Sequence, residues 1–406
     1  MGQWKFHTPN GVTDLLPAGC RNKRQIEQSV RLMFEQRGYQ EIETPSMEFF
    51  DVYAANTGAV PQEELFKFFD EQGRILCLRY DGTVPVARMA ATLLRDETPP
   101  LRFSYLGNMY RFREFGGGRQ REFTQAGVEL LGDQSPEADA EVIATAIAAA
   151  IACGIDDMQV SIGQVGFFKA LLNMWQISGQ EAEQLPRLIN NKEIVALEEV
   201  CERLDLPAPA RRVIDRLVSA QDDPQILDEL SELLPSPAAQ AALDNLRAVM
   251  TILADYGYAR YISVDLGMLQ SLNYYTGIIF KGFTYGLGFP LFSGGRYDTL
   301  VSAFGRDLAA TGFSIGINFI QTALMRRGQT DMALPVRIRL YYDIEKRPQA
   351  FRLANEWREQ GAVVICSPFN QADAAADQTL PDDRWQTAVM QPDETIEWKG
   401  AAPWNG

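Results

Sequence analysis

The stretch Arg111-Phe112-Arg113-Glu114-Phe115-Gly116-Gly117-Gly118-Arg119-Gln120-Arg121-Glu122-Phe123-Thr124-Gln125-Ala126-Gly127-Val128-Glu129 governs the reading of the whole chain. Three consecutive glycines lie between strand-like flanks. On the N-terminal side the run from Phe103 to Phe112 is rich in aromatic and apolar residues, as strands are. Taken alone, the segment is a hairpin whose loop charges are solvated. It also supports a functional reading: Arg111 presents a planar fork for a carboxylate or phosphate, and the glycines let backbone approach a ligand closely. Period-two alternation puts Gln125, Gly127 and Glu129 on one face of a strand. Gln125 and Glu129 together then suit an ammonium group.

Working outward, Ile26, Val30 and Phe34 recur at four-residue spacing between Asn22 and Arg37, with Gly38 beyond, which predicts an amphipathic helix and its stop. A strand is expected from Tyr39, and another over Ile75–Tyr80. Ser135-Pro136-Glu137 supplies an N-cap, a first-turn proline and an acid for a helix carrying Ile143, Ile147 and Ile151. From about 166 to 256 the pattern turns helical, with leucine-rich pieces broken by prolines, and is expected to be an insertion. Strand signals return at Ile262–Leu266 and Gly277–Phe280, and a helix is expected from Gly312 to Arg327. After a turn-rich stretch, Val336–Tyr342, Arg347–Gln360 and Val363–Cys366 form a βαβ-like piece. The expected fold class is α+β, a mostly antiparallel sheet flanked by helices. Its domains are 1–330, containing the insertion, and a small C-terminal α/β domain at 331–406.

Composition excludes several classes. With 406 residues, 46% hydrophobic and 22% charged, the chain has enough apolar content for a large core. The stretch from Ala138 to Ile151 is interrupted by Asp139, Glu141 and Thr145 and is too short to span a bilayer. The start, Met1-Gly2-Gln3-Trp4-Lys5, lacks an export signal, so no membrane association and a cytoplasmic location are expected. Five scattered cysteines and a single histidine, His7, provide neither a disulfide framework nor a zinc site, and no metal or cofactor is expected. The net charge of −15 opposes a large nucleic-acid footprint.

The glycine-rich hairpin resembles motif 2 of the histidyl-tRNA synthetases, and the likeness extends over about the first 325 residues. Gly11-Val12-Thr13-Asp14-Leu15-Leu16-Pro17 is similar to that family's opening, and Gly38-Tyr39-Gln40-Glu41-Ile42 with Pro45 to its dimer-forming motif 1. Leu78-Arg79-Tyr80-Asp81-Gly82-Thr83 resembles the loop that holds the substrate's amino group, with Asp81 in place of the usual glutamate. Leu272-Asn273-Tyr274-Tyr275-Thr276-Gly277 and Gly294-Gly295-Arg296-Tyr297-Asp298 are similar to the segments lining that family's imidazole pocket. The resemblance implies a class II aminoacyl-tRNA synthetase-like core that binds histidine. Asp81, Thr83, Gln125 and Glu129 would lie at the amino end, Tyr274, Tyr275 and Tyr297 at the ring end, and Arg111 would face the carboxylate.

The chain departs from that family on the ATP side. Neutral Gln270 stands where the catalytic arginine is expected, Asn318-Phe319 replaces a Glu-Arg pair, and Arg113 stands where an acid is usual. Removing one preorganised donor costs roughly 3–4 kcal/mol of transition-state stabilisation, so Gln270 and Phe319 mark lost catalytic positions and no catalytic residue is assigned. The acidic tail, Pro381-Asp382-Asp383 and Pro392-Asp393-Glu394, does not suit transfer RNA. This pattern resembles the regulatory subunits of ATP phosphoribosyltransferase. That likeness implies a non-enzymatic partner of the short-form catalytic subunit, dimeric within a hetero-octamer and carrying histidine as feedback effector. A divergent histidyl-tRNA synthetase, or a synthetase-like enzyme with another ligand, remain the alternatives.

Overall fold

The structure, a computed structural model, describes residues 4–54, 60–112, 120–219, 225–233, 236–269, 274–329, 335–369 and 385–399. Arg113, Gln270, Asn273 and the run Pro381-Asp382-Asp383 lie outside the described residues. The chain divides into two compact units, Met1–Thr330 and Asp331–Gly406.

The first unit opens with helix α1 (Pro17–Gln36). It starts before the expected Asn22 because Pro17 occupies the first turn, where its missing N–H has no partner to lose. Ile26, Val30 and Phe34 form its buried stripe, and Gly38, at φ +80°, stops it. There follow β1 (Gln40–Glu41), β2 (Met47–Phe49), α2 (Phe50–Ala54), β3 (Lys67–Phe69), β4 (Ile75–Leu78), α3 (Thr83–Ala91), β5 (Leu101–Tyr110) and β6 (Glu122–Leu131). Next come α4 (Pro136–Ala152) and β7 (Met158–Gln164). Ser135 caps α4 by accepting from the Ala138 amide at 3.3 Å.

The helical insertion comprises α5 (Val165–Met174), α6 (Gly179–Asn190), α7 (Ile194–Arg203), α8 (Ala208–Ser219), α9 (Ile226–Leu233) and α10 (Pro237–Asp255). The sheet resumes with β8 (Ile262–Val264), β9 (Ile278–Thr284) and β10 (Phe292–Arg296), then α11 (Thr299–Ser302), β11 (Ala310–Gly316) and α12 (Ile317–Arg326). The helix expected over Gly312–Arg327 is therefore corrected: its first part is strand. Gly312 to Gly316 pairs with β6 on one side, and Gly312 to Ile315 pairs with β10 on the other. These pairings outweigh a local sequence that is compatible with either conformation.

Eight strands form one sheet in the order β1-β5-β6-β11-β10-β9-β7-β8, antiparallel except for the edge pairs β1–β5 and β7–β8. Strands β2, β4 and β3 make a separate small sheet. The large sheet divides the core. On one side Ala126, Val128 and Leu130 of β6 pack in a cluster with Ile143 and Ile147 of α4 and Phe34 of α1. On the other, Phe103, Tyr105, Phe123 and Tyr297 form a second cluster beneath α3.

The second unit contains β12 (Arg337–Tyr342), α13 (Arg347–Glu359), β13 (Val363–Pro368), β14 (Trp385–Met390) and β15 (Ile396–Lys399). Its sheet runs β13-β12-β14-β15, parallel except for β14–β15, so β14 and β15 extend the expected βαβ piece. Ala350, Ala354 and Trp357 of α13 pack on Ile338, Leu340 and Ala388. Among the described residues no helix is long and apolar enough to cross a membrane.

Candidate functional site

The cleft is built on the face of β6 that bears Gln125, Gly127 and Glu129. Glu129 is wholly buried at mid-strand. Its Oε1 accepts from Thr83 Oγ1 at 2.7 Å, and its Oε2 accepts from the Tyr297 hydroxyl. Gly312, its cross-strand neighbour on β11, has no side chain because a β-carbon there would overlap Oε2. Burial pushes Glu129 up to about 8, the Asp81 charge adds to this, and the two hydroxyl donors offset only part of it.

Asp81 enters from the turn before α3 and accepts from the Val84 amide at 3.1 Å. Desolvation pushes it up to about 6, against the pull of the Val84 amide and the Arg111 guanidinium. Gln125 turns its Nε2 to Ser314 Oγ at 2.9 Å. Its Oε1 is buried without a hydrogen-bond partner among the described residues. Two carboxylates and this amide oxygen thus offer acceptors to a cation.

The aromatic wall comes from two further segments. Tyr274 lies parallel to Tyr297 with ring centroids 5.5 Å apart, and meets Tyr275 edge-on at 4.7 Å. Burial, with the Glu129 and Asp81 charges nearby, raises the Tyr275 phenol and keeps it protonated. Thr276 Oγ1 donates to Asp298 Oδ2 at 2.8 Å, joining the two tyrosine segments. Arg296 is committed to structure: its Nε lies 3.1 Å from both oxygens of buried Asp139 on α4. The structure thus brings Asp81, Thr83, Glu129, Tyr274, Tyr275 and Tyr297 together, with Gln125 and Arg111 toward the next compartment.

Sequence reasoning missed Tyr105. Its ring fills the space that side chains at Gly82 and Gly127 would need, and its hydroxyl lies beside Thr83 without hydrogen-bond geometry. The available signal was the pair of glycines, one in the loop and one on the strand, flanking the expected cleft. Lys169 of α5 was also missed. It donates from Nζ to the Tyr275 carbonyl at 2.8 Å and so attaches the insertion to the tyrosine wall.

Beyond Gln125 and Arg111 lies the compartment containing Phe319. The Phe319 ring is parallel to Phe123 at 6.4 Å and tilted against Phe289 at 4.4 Å. The Arg111 guanidinium sits over Tyr80 at 4.4 Å and Phe123 at 5.0 Å. The cavity between these side chains holds about 150 Å³, below the roughly 300–1,000 Å³ of small-molecule pockets. Asn318 has a structural place, accepting from the Thr124 amide at 2.7 Å and donating to Gln120 at 3.2 Å. Among the described residues no group of side chains could hold a metal ion.

An eight-stranded, mostly antiparallel sheet carrying a buried carboxylate and a tyrosine wall defines a class II aminoacyl-tRNA synthetase-like protein. The family model described as histidyl-tRNA synthetase matches residues 11–320. Two curated relatives are ATP phosphoribosyltransferase regulatory subunits. That of Acetivibrio thermocellus is 47% identical, covering 90% of this chain and 87% of the relative; that of Ruminiclostridium cellulolyticum is 45% identical with the same coverage. Among solved structures, an ATP phosphoribosyltransferase regulatory subunit/histidyl-tRNA synthetase from Bacillus halodurans superimposes with a TM-score of 0.84. It is 33% identical and covers 95% of this chain and 97% of that one. A Nostoc histidyl-tRNA synthetase, 24% identical with a TM-score of 0.78 over 96% of this chain and 92% of its own, shares the fold. The chain belongs to the family of ATP phosphoribosyltransferase regulatory subunits.

Proposed function

We propose that this chain is a non-catalytic regulatory subunit of ATP phosphoribosyltransferase, acting at the first step of histidine biosynthesis. A short-form catalytic subunit requires it for activity, and histidine bound in its cleft lowers that activity. The histidine ammonium is received by Asp81, Glu129 and Gln125, with Thr83 holding Glu129 in place. Tyr274, Tyr275 and Tyr297 enclose the imidazole, and Arg111 faces the carboxylate.

One observation carries this reading: buried acceptors on Glu129 stand beside the Tyr274 and Tyr297 rings, whereas in the neighbouring compartment an apolar ring, Phe319, packs against Phe123 and Phe289. The cavity beside Phe319 holds about 150 Å³, below the roughly 300–1,000 Å³ of small-molecule pockets. Adenylation also needs preorganised cations at the developing phosphate charge, and Phe319 supplies none. Self-association as a dimer within a hetero-octamer is supported by the small sheet. Met47 and Phe49, 55% and 45% exposed, share one face with half-buried Phe68, Leu76 and Leu78.

Titration calorimetry with histidine, together with the activity of a short-form catalytic subunit with and without this chain, tests the proposal. Histidine is expected to bind, and activity is expected to require the chain and to fall as histidine is added. A catalytic subunit fully active alone, or no histidine binding by chain or complex, overturns it. Histidine-dependent exchange of pyrophosphate into ATP would instead favour a divergent synthetase.

A further inference from the structure

The helical insertion carries a groove that plays no part in the cleft. It lies between α7 and α8 and holds about 530 Å³. Buried Leu197, Cys201 and Ile214 form its floor, and Ile194, 58% exposed, leaves one end apolar. Ile194, Glu198 and Glu202 recur every fourth residue, so they share a face of α7 about 12 Å long, some two helical turns.

The rim is acidic and unbalanced. Glu198 and Glu202 line it from α7, and Asp215 lines it from α8. The ion pairs of these two helices join Arg203 to Glu181 and Arg216 to Glu229; among the described residues none reaches the three rim carboxylates. Arg211, the groove's cation, donates to the Leu206 carbonyl at 2.9 Å and to the Cys201 carbonyl at 3.4 Å, so its donors serve the turn between the helices. Asp215 and Glu198 lie near enough to Cys201 to reinforce the effect of burial on its thiol, while Arg211 opposes it.

Three carboxylates against the single Arg211 leave the rim net negative over an apolar floor, which selects its occupant by charge. Nucleic acid is repelled. A symmetric contact with a second copy of this chain would set the same acidic rim against itself. We propose that the α7–α8 groove docks a two-turn segment of the catalytic subunit, bearing an apolar anchor flanked by lysine or arginine. This rests on the regulatory-subunit reading above.

Surface plasmon resonance of the full chain against a short-form ATP phosphoribosyltransferase catalytic subunit, at low and high salt, tests this. The double variant Glu198→Lys/Glu202→Lys reverses one wall and Asp215→Lys the other, all at exposed positions. Glu35→Lys on α1 is the control. Each wall reversal is expected to weaken association on the order of tenfold at low salt, with a smaller effect at high salt. The control and histidine binding should be unchanged. Wild-type affinity in both reversals overturns the inference and leaves the regulatory reading standing. Unaltered partner binding with a shift in the chain's own sedimentation identifies a second copy as occupant and also overturns it. Failure of the wild type to bind the catalytic subunit removes the regulatory reading and this inference with it.

Discussion

Thr83 donates its hydroxyl to Glu129 Oε1 at 2.7 Å, joining the first turn of α3 to the middle of β6. The bond orients a carboxylate that has no contact with bulk water. Glu129→Ala removes a charged acceptor worth about 1.5–3 kcal/mol, so histidine affinity should fall roughly ten- to hundredfold. Thr83→Val, losing only the orienting bond, should cost about three- to tenfold. Calorimetry measures both, and unchanged affinity in Glu129→Ala would remove the cleft from the proposed mechanism.

Proton linkage gives a second expectation. Glu129 is pushed up to about 8 and Asp81 to about 6, whereas an ammonium ligand selects their ionised forms. Histidine binding should therefore tighten between about pH 6 and 8 and release protons, as titrations in buffers of different ionisation enthalpy would detect. For the empty protein, native Glu129 keeps its proton up to about 8 while the unfolded chain loses it near 4.5. Its stabilising contribution is fully present below 4.5 and is lost as pH rises to about 8. Urea unfolding across that range, compared with Glu129→Gln, should show a fall that the variant flattens.

Gly82 and Tyr105 form a coupled pair. A β-carbon at Gly82 would overlap the Tyr105 ring, and the nearest atoms to that position all belong to this ring. Gly82→Ala should destabilise by about 1–3 kcal/mol. Tyr105→Ala in the same chain should recover part of that loss, leaving an interaction energy of about 0.5–3 kcal/mol in a double-mutant cycle. Strict additivity would place the obstruction elsewhere.

Phe319→Ala opens the three-ring contact and should cost about 1–3 kcal/mol in chemical denaturation, less than a fully buried ring would. Phe319→Arg should not restore pyrophosphate exchange, because neutral Gln270 still replaces the other arginine. Measurable exchange in that single variant would mean that the ring alone blocked the chemistry.

Asp139→Ala removes the shorter of the two carboxylate contacts of buried Arg296, leaving Asp298 at 3.3 Å. A loss of about 3–5 kcal/mol is expected in urea, whereas Asp139→Leu with Arg296→Met should be far milder. Equal losses would show that the ion pair itself, and not the stranded charge, supports β10.

The cleft was legible where chemistry and periodicity coincide. Gln125 and Glu129 are two polar residues at strand spacing, and the paired tyrosines with Gly294-Gly295-Arg296-Tyr297-Asp298 are a distinctive string. Legibility failed where the partner is distant in sequence. Gly312 to Gly316 becomes strand because β6 and β10 flank it, and nothing local distinguishes that from a helix start. Tyr105 was hidden because its role lies in space left empty by Gly82 and Gly127. Arg296 sits inside a pocket signature yet serves Asp139, a residue more than a hundred positions away.

Strand β6 alternates between two environments. Ala126, Val128 and Leu130 belong to the packed core, while Gln125 and Glu129 face the cleft. A saturation mutagenesis map of these positions would therefore change phenotype at every second residue. Substitutions at 126, 128 and 130 would appear as lost protein abundance, and near-isosteric ones at 125 and 129, such as Glu129→Gln, as retained abundance with a lost response to histidine, so two genetic classes would interleave along a single strand.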